Sequence, residues 1–184
     1  MFSQILRQLK SEAKNVSIYT DRAQTSKFTF GSVLNIDKHY FALHMLTTDG
    51  QDDGLLIQPI ERVYRIEQDG QYAAKMKKLA VHDTGVHYQL EDGANLIQAA
   101  LLAAKKNGWI VSIELLDSGY NDVVGFVQAV QPELCTICLV DAYGYDDGTA
   151  TIRRQDITQV VCNSADEQRI LRLWKVNDKA QADC

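Results

Sequence analysis

Proline is nearly missing, with two in 184 residues, and no low-complexity tract occurs, so the composition excludes a largely disordered or linker-like chain. Long hydrophobic runs are missing as well. The longest, residues 96–104, contains Gln98 and is far shorter than the roughly 20 residues that span a bilayer. The opening Met1-Phe2-Ser3-Gln4-Ile5-Leu6-Arg7 lacks the continuous apolar core of a secretory signal, so the expectation is cytoplasmic residence without a membrane. Positive charge is in deficit: the net charge is −5, which argues against a non-specific polyanion binder but leaves room for a local basic face.

Catalytic signatures are absent too. There is no GxSxG, no P-loop and no GxGxxG. Ser112 and Ser118 have no neighbouring histidine, and Glu12, Glu61 and Glu67 show no pairing suited to acid–base work. His39, His44, His82 and His87 fall at no metal-ligand spacing, and they read as exposed side chains. The four cysteines, Cys135, Cys138, Cys162 and Cys184, all lie in the second half, which makes a disulfide framework unexpected. Cys135 and Cys138 have the spacing of a redox or metal pair. They fall inside an expected strand, where residues three apart point to opposite faces, so they read as small hydrophobes. No catalytic residue, metal or cofactor is expected.

What the chain does contain is a repeat. Residues 27–80 moved forward by 94 positions fall without a gap on residues 121–174. Gly31, Gly50 and Gly54 meet Gly125, Gly144 and Gly148; Val33, Ile36 and Leu43 meet Val127, Val130 and Ile137. Self-similarity of this kind predicts two copies of one structural unit. The expected organisation is a first unit over 1–80, a linker over 81–93 and a second unit over 94–184.

Each unit is expected to open with a helix. Phe2, Ile5, Leu6, Leu9 and Ala13 form one apolar stripe, and residues 96–106 are rich in Ala and Leu ahead of Gly108. Short strands follow, over 16–20, 27–36, 40–47, 54–58 and 63–67, and again over 109–116, 123–130, 134–141, 148–153 and 157–162. Asp52-Asp53-Gly54 and Asp146-Asp147-Gly148 read as turns rather than cation sites, since a bare Asp pair offers few oxygen ligands. A second helix ends each unit, from Gly70 to about Leu79 and after the capping box Ser164-Ala165-Asp166-Glu167. Residues 85–90 offer a short extra strand or plain linker.

The run Gly31-Ser32-Val33-Leu34-Asn35-Ile36-Asp37-Lys38-His39-Tyr40-Phe41-Ala42-Leu43 resembles the first signature of the Sm-like (LSm) small-barrel family. The second unit has Gly125-Phe126-Val127-Gln128-Ala129-Val130-Gln131-Pro132-Glu133-Leu134-Cys135-Thr136-Ile137 in the same register. Ile152-Arg153-Arg154-Gln155-Asp156-Ile157 is similar to the second signature except for its glycine, whereas Gln58-Pro59-Ile60-Glu61-Arg62-Val63 agrees only at the last position. The resemblance implies a mainly β chain with flanking helices (α+β): two tandem Sm-like, SH3-like, five-stranded bent antiparallel barrels, each preceded and followed by a helix. It also implies a uridine pocket built from an Asn and an Arg. Here the Asn position is Phe41 in one unit and Cys135 in the other, and only Arg153, beside Arg154, remains.

Two functional expectations follow. The first is a non-catalytic interaction or assembly module that forms homo-oligomers through barrel edge strands. The second is a nucleic-acid binder, with RNA as the partner. It would use Phe41 for stacking, and Arg153, Arg154, Lys75, Lys78, Arg169 and Arg172 for phosphate; Lys75 and Lys78 align with Arg169 and Arg172 across the repeat. A weaker third is a small-ligand binder or enzyme using a cleft between the units.

Overall fold

The computed structural model describes residues 1–79, 88–90 and 95–182. The expected linker, except for 88–90, lies outside them, as do His82, His87 and Cys184; residues 88–90 are not strand. The chain divides into two compact units, Met1–Leu96 and Ile97–Cys184. It is mainly β, with antiparallel strands and four α-helices among the described residues.

In the first unit, helix α1 (Phe2–Glu12) buries Leu6 and Leu9. Each contributes about 1.5–3 kcal/mol by leaving water. Strands β1 (Asn15–Tyr19), β2 (Thr29–Ile36), β3 (Tyr40–Leu46), β4 (Asp52–Pro59) and β5 (Arg65–Glu67) follow, with a 3-10 turn over Ile60–Arg62, and α2 (Gln71–Leu79) ends the set. Their order in the sheet is β5-β1-β2-β3-β4. Met76 and Ala73 of α2 pack on Phe30 of β2.

The second unit has the same plan. Helix α3 (Leu96–Asn107) precedes β6 (Ile110–Leu115), β7 (Val123–Val130), β8 (Leu134–Val140), β9 (Asp146–Arg153) and β10 (Ile157–Cys162), with a 3-10 turn over Arg154–Asp156, and α4 (Ala165–Ala182) ends it. The order is β10-β6-β7-β8-β9. In neither unit, among the described residues, does the fourth strand pair with the fifth to close the sheet on itself. The chain turns through a 3-10 helix after the fourth strand, and the fifth pairs with the first at the other end of the order.

The repeat holds at the level of single pairings. Gly31 opposes Met45 in β2–β3 and Gly125 opposes Leu139 in β7–β8; the bulges fall between Val33 and Asn35, and between Val127 and Ala129. His44 opposes Leu55 and Cys138 opposes Thr149 in the next ladder. The strand glycines are required by close approach: a Cβ on Gly31 would lie 2.0 Å from the His44 carbonyl oxygen, and one on Gly125 the same 2.0 Å from that of Cys138. On the helix side the offset is one residue longer. Lys14 N–H donates to the Leu9 carbonyl and Trp109 N–H to that of Ala104. The extra residue is absorbed between β1 and β2, since Ile18 opposes Thr29 while Ile113 opposes Val123.

One expectation needs correcting. The Asp-Asp-Gly triplets are not the turns themselves. The chain reverses earlier, with Gly50 N–H donating to Thr47 O and Gly144 N–H to Asp141 O, and Asp52 and Asp146 already open β4 and β9. The triplets instead carry the irregularity at each strand's start, where Asp52 Oδ1 accepts from Gly54 N–H and Asp146 Oδ1 from Gly148 N–H. The capping box at α4 forms as expected. Glu167 accepts from the Ser164 N–H at 2.7 Å, and its other oxygen takes the Ser112 hydroxyl at 2.5 Å, which lets a carboxylate stay buried.

The α1 and α3 helices both end on a left-handed residue, Ala13 at φ 49° and Gly108 at φ 65°. Only the second is a glycine, and no atom lies within 4 Å of where its Cβ would be. Ala13→Gly is therefore expected to raise stability and Gly108→Ala to lower it, each by about 1 kcal/mol. Urea midpoints moving in opposite directions would record the exchange.

Candidate functional site

Strand β9 ends the order of the second unit, and among the described residues its ladder is to β8 alone. Its residues from Asp146 to Thr149 are all exposed, as are Thr151 and Arg153. The equivalent strand β4 is buried from Gly54 to Pro59. One repeated strand is thus covered and the other open.

The turn leading into β9 is held firmly. Asp141 Oδ1 accepts from the N–H groups of Tyr143 and Tyr145 at 2.9 and 2.8 Å. Asn177 of α4 donates its side-chain amide to the carbonyls of Tyr143 and Gly144 at 3.0 and 2.9 Å. Both tyrosines are presented to solvent, at 74% and 51% exposure. On the strand itself the Thr151 hydroxyl lies 3.4 Å from that of Thr136. The side chains of Asp147 and Arg153 have no partner among the described residues.

The residues expected to contact nucleic acid are divided between the two units. Phe41 is fully buried in β3, with no open ring face for a base. Arg154 is engaged as a clamp. One terminal nitrogen donates to the carbonyls of Gln131 and Pro132 at 2.9 and 2.8 Å, and the other to the Gln98 side chain at 2.9 Å. Its Nε is buried without a partner. Arg153 is exposed at the end of β9. Lys75 and Lys78 stand exposed on α2 of the first unit, with the Lys75 ammonium 5.6 Å from the Tyr72 ring centre. Arg169 and Arg172 stand exposed on α4 of the second; Arg169 pairs with Asp166 at 2.9 Å, and Arg172 Nε donates to the Gln168 carbonyl at 3.2 Å.

A polar cluster in the first unit has no precursor in the sequence reading. His44 Nε2 lies 2.9 Å from Asp52 Oδ1, and the Tyr88 hydroxyl donates to Asp52 Oδ2 at 3.0 Å. The His44 and Tyr88 rings lie 5.2 Å apart. Burial alone would raise the Asp52 carboxyl, but bonds from His44, Gly54 and Tyr88 outweigh it and hold it below its ordinary value. At the corresponding place in the second unit, Cys138 replaces His44 and Asp146 is exposed. Tyr88 comes from the segment that the repeat does not cover, so no periodicity could have paired it with Asp52.

The cysteines divide as strand geometry requires. Cys135 is fully buried and Cys138 half-buried on the opposite face of β8. Burial pushes the Cys135 thiol up to about 11 and raises that of Cys162 further. Among the described residues no three His, Cys, Asp or Glu side chains gather as a metal site. Among them, too, no helix is long and apolar enough to cross a membrane. No protein-family profile, no curated protein and no solved structure matches this chain.

Two outcomes are expected. A depressed carboxyl stabilises the fold fully above the unfolded carboxylate range, near about 4, and loses that contribution as pH falls through its lower folded value. Asp52→Asn is expected to cost about 2 kcal/mol at neutral pH, and the gap from the parent should narrow in acid when denaturant midpoints are compared. Alkylation of the folded chain at pH near 8, read by peptide mass spectrometry, should leave Cys135 and Cys162 unmodified while both react once the chain is denatured.

Proposed function

We propose that this chain is a non-catalytic interaction and assembly module, built from two divergent Sm-like small-barrel units, and that it engages its partner by strand addition at β9. The Sm-like reading is supported by the helix-then-five-strand order of each unit and by a second strand that crosses the third closely at a glycine. The observation that carries the functional reading is the contrast between two repeated strands: β4 is covered from Gly54 onward, and β9 is open along most of its length. An open strand offers a row of backbone donors and acceptors to another extended chain, and homo-oligomers form readily in this way. RNA binding would draw on Arg153, Lys75, Lys78, Arg169 and Arg172, without Phe41 or Arg154, whose positions are buried or engaged.

Charges placed along an edge strand block strand addition without disturbing an exposed site. Thr149→Lys combined with Thr151→Lys is expected to leave the circular dichroism spectrum unchanged and to reduce the light-scattering mass to that of one chain. Adding short RNA at low salt should leave the mass of the parent as it was. An RNA-dependent, salt-sensitive increase would transfer the assignment to nucleic-acid binding.

A further inference from the structure

Edge strands are commonly protected by proline, by charge along their length or by a bulge. β9 is protected only at its ends. Its register against β8 shifts near its start, between the Asp146 and Thr149 pairings. Asp147 precedes and Arg153 ends an uncharged, proline-free run, Gly148-Thr149-Ala150-Thr151-Ile152. Neither flanking charge has a side-chain partner among the described residues.

A strand acidic at its beginning and basic at its end is complementary to its own copy when the two run antiparallel. Residues directly opposed in an antiparallel ladder turn their N–H and C=O groups either both toward each other or both away. A strand paired with its own copy therefore opposes residues an even number of positions apart, and the two-fold axis passes through a residue. With the axis at Ala150, Thr149 opposes Thr151 in the regular part of the strand, and beyond the irregularity at Gly148 the acidic end, Asp147, lies beside the basic end, Arg153, of the other copy, each contact occurring twice. Opposed threonines and neighbouring opposite charges are both favourable across paired strands. Tyr145, half-exposed just ahead of the strand, adds apolar surface at each end. The covered strand β4 lacks this arrangement: its last two residues are Gln58 and Pro59, so it has no cation to answer Asp52 and Asp53.

We infer that β9 pairs antiparallel with β9 of a second copy of this chain, about a two-fold axis at Ala150, with an Asp147–Arg153 ion pair at each end. This rests on the strand-addition reading above and names the partner. The backbone ladder supplies most of the attraction, while the exposed ion pairs select the register and exclude other strands.

The test uses the full chain in sedimentation equilibrium. The parent is expected to form a dimer. Asp147→Arg alone and Arg153→Asp alone each set like charges against each other at both ends, and each should weaken the dimer by about tenfold or more. An equimolar mixture of the two variants should recover the dimer, because the altered position 147 of one chain then faces the altered position 153 of the other. Variants that dimerise like the parent, or a mixture that stays dissociated, would overturn self-pairing. The Thr149→Lys, Thr151→Lys chain then separates the two ideas. If it still dissociates the assembly, strand addition stands and only the partner is wrong; if the assembly persists, both fall. A parent that remains a single chain at every concentration also overturns both.

Discussion

In each unit a backbone carbonyl occupies the space that a side chain on the neighbouring strand would need. The His44 oxygen does this over Gly31, and the Cys138 oxygen over Gly125. The second and third strands approach closely at these glycines, and a register shift follows a few residues later in each ladder. The turn, the 3-10 helix and the fourth strand then follow in the same register in both units. Because this close approach is made by backbone atoms, the side chains around it were free to diverge while the strand order held.

That divergence is where the two units differ in chemistry. His44 and Asp52 join Tyr88 in a hydrogen-bonded cluster, whereas Cys138 and Asp146 take the same positions and, among the described residues, no such network joins them. Glu167 is buried on the Ser112 hydroxyl, whereas its counterpart in the first unit is Ala73, which carries no carboxylate. Asn35, buried and bonded to Lys10, faces Ala129 in the alignment. Each exchange is local, because a polar group and its partner change together or leave a buried group unsatisfied.

The parts of the fold legible in the sequence were those governed by local pattern or by the repeat. The strand glycines, the α4 capping box, the opposite faces of Cys135 and Cys138, and β7 and β10 to the residue all belong to this class. Asp-Asp-Gly was misplaced because Asp and Gly suit a turn and a strand irregularity equally well. The sites were less legible. Nothing in the run around Phe41 distinguishes a core ring from an exposed one, and Arg154 looks like a free cation until the carbonyls of Gln131 and Pro132 close on it. The openness of β9 was hidden for the opposite reason: the alignment gives it the same pattern as β4, and exposure depends on neighbours that a pattern does not name.

The single extra residue between β1 and β2 has a practical side. The two copies keep their ladders in step on both sides of that connection while differing in its length, so natural variation has already tested an insertion there. It is the place to graft an epitope or a fluorophore acceptor peptide, with the reporter carried by one unit and the ladders on either side of the graft kept in step.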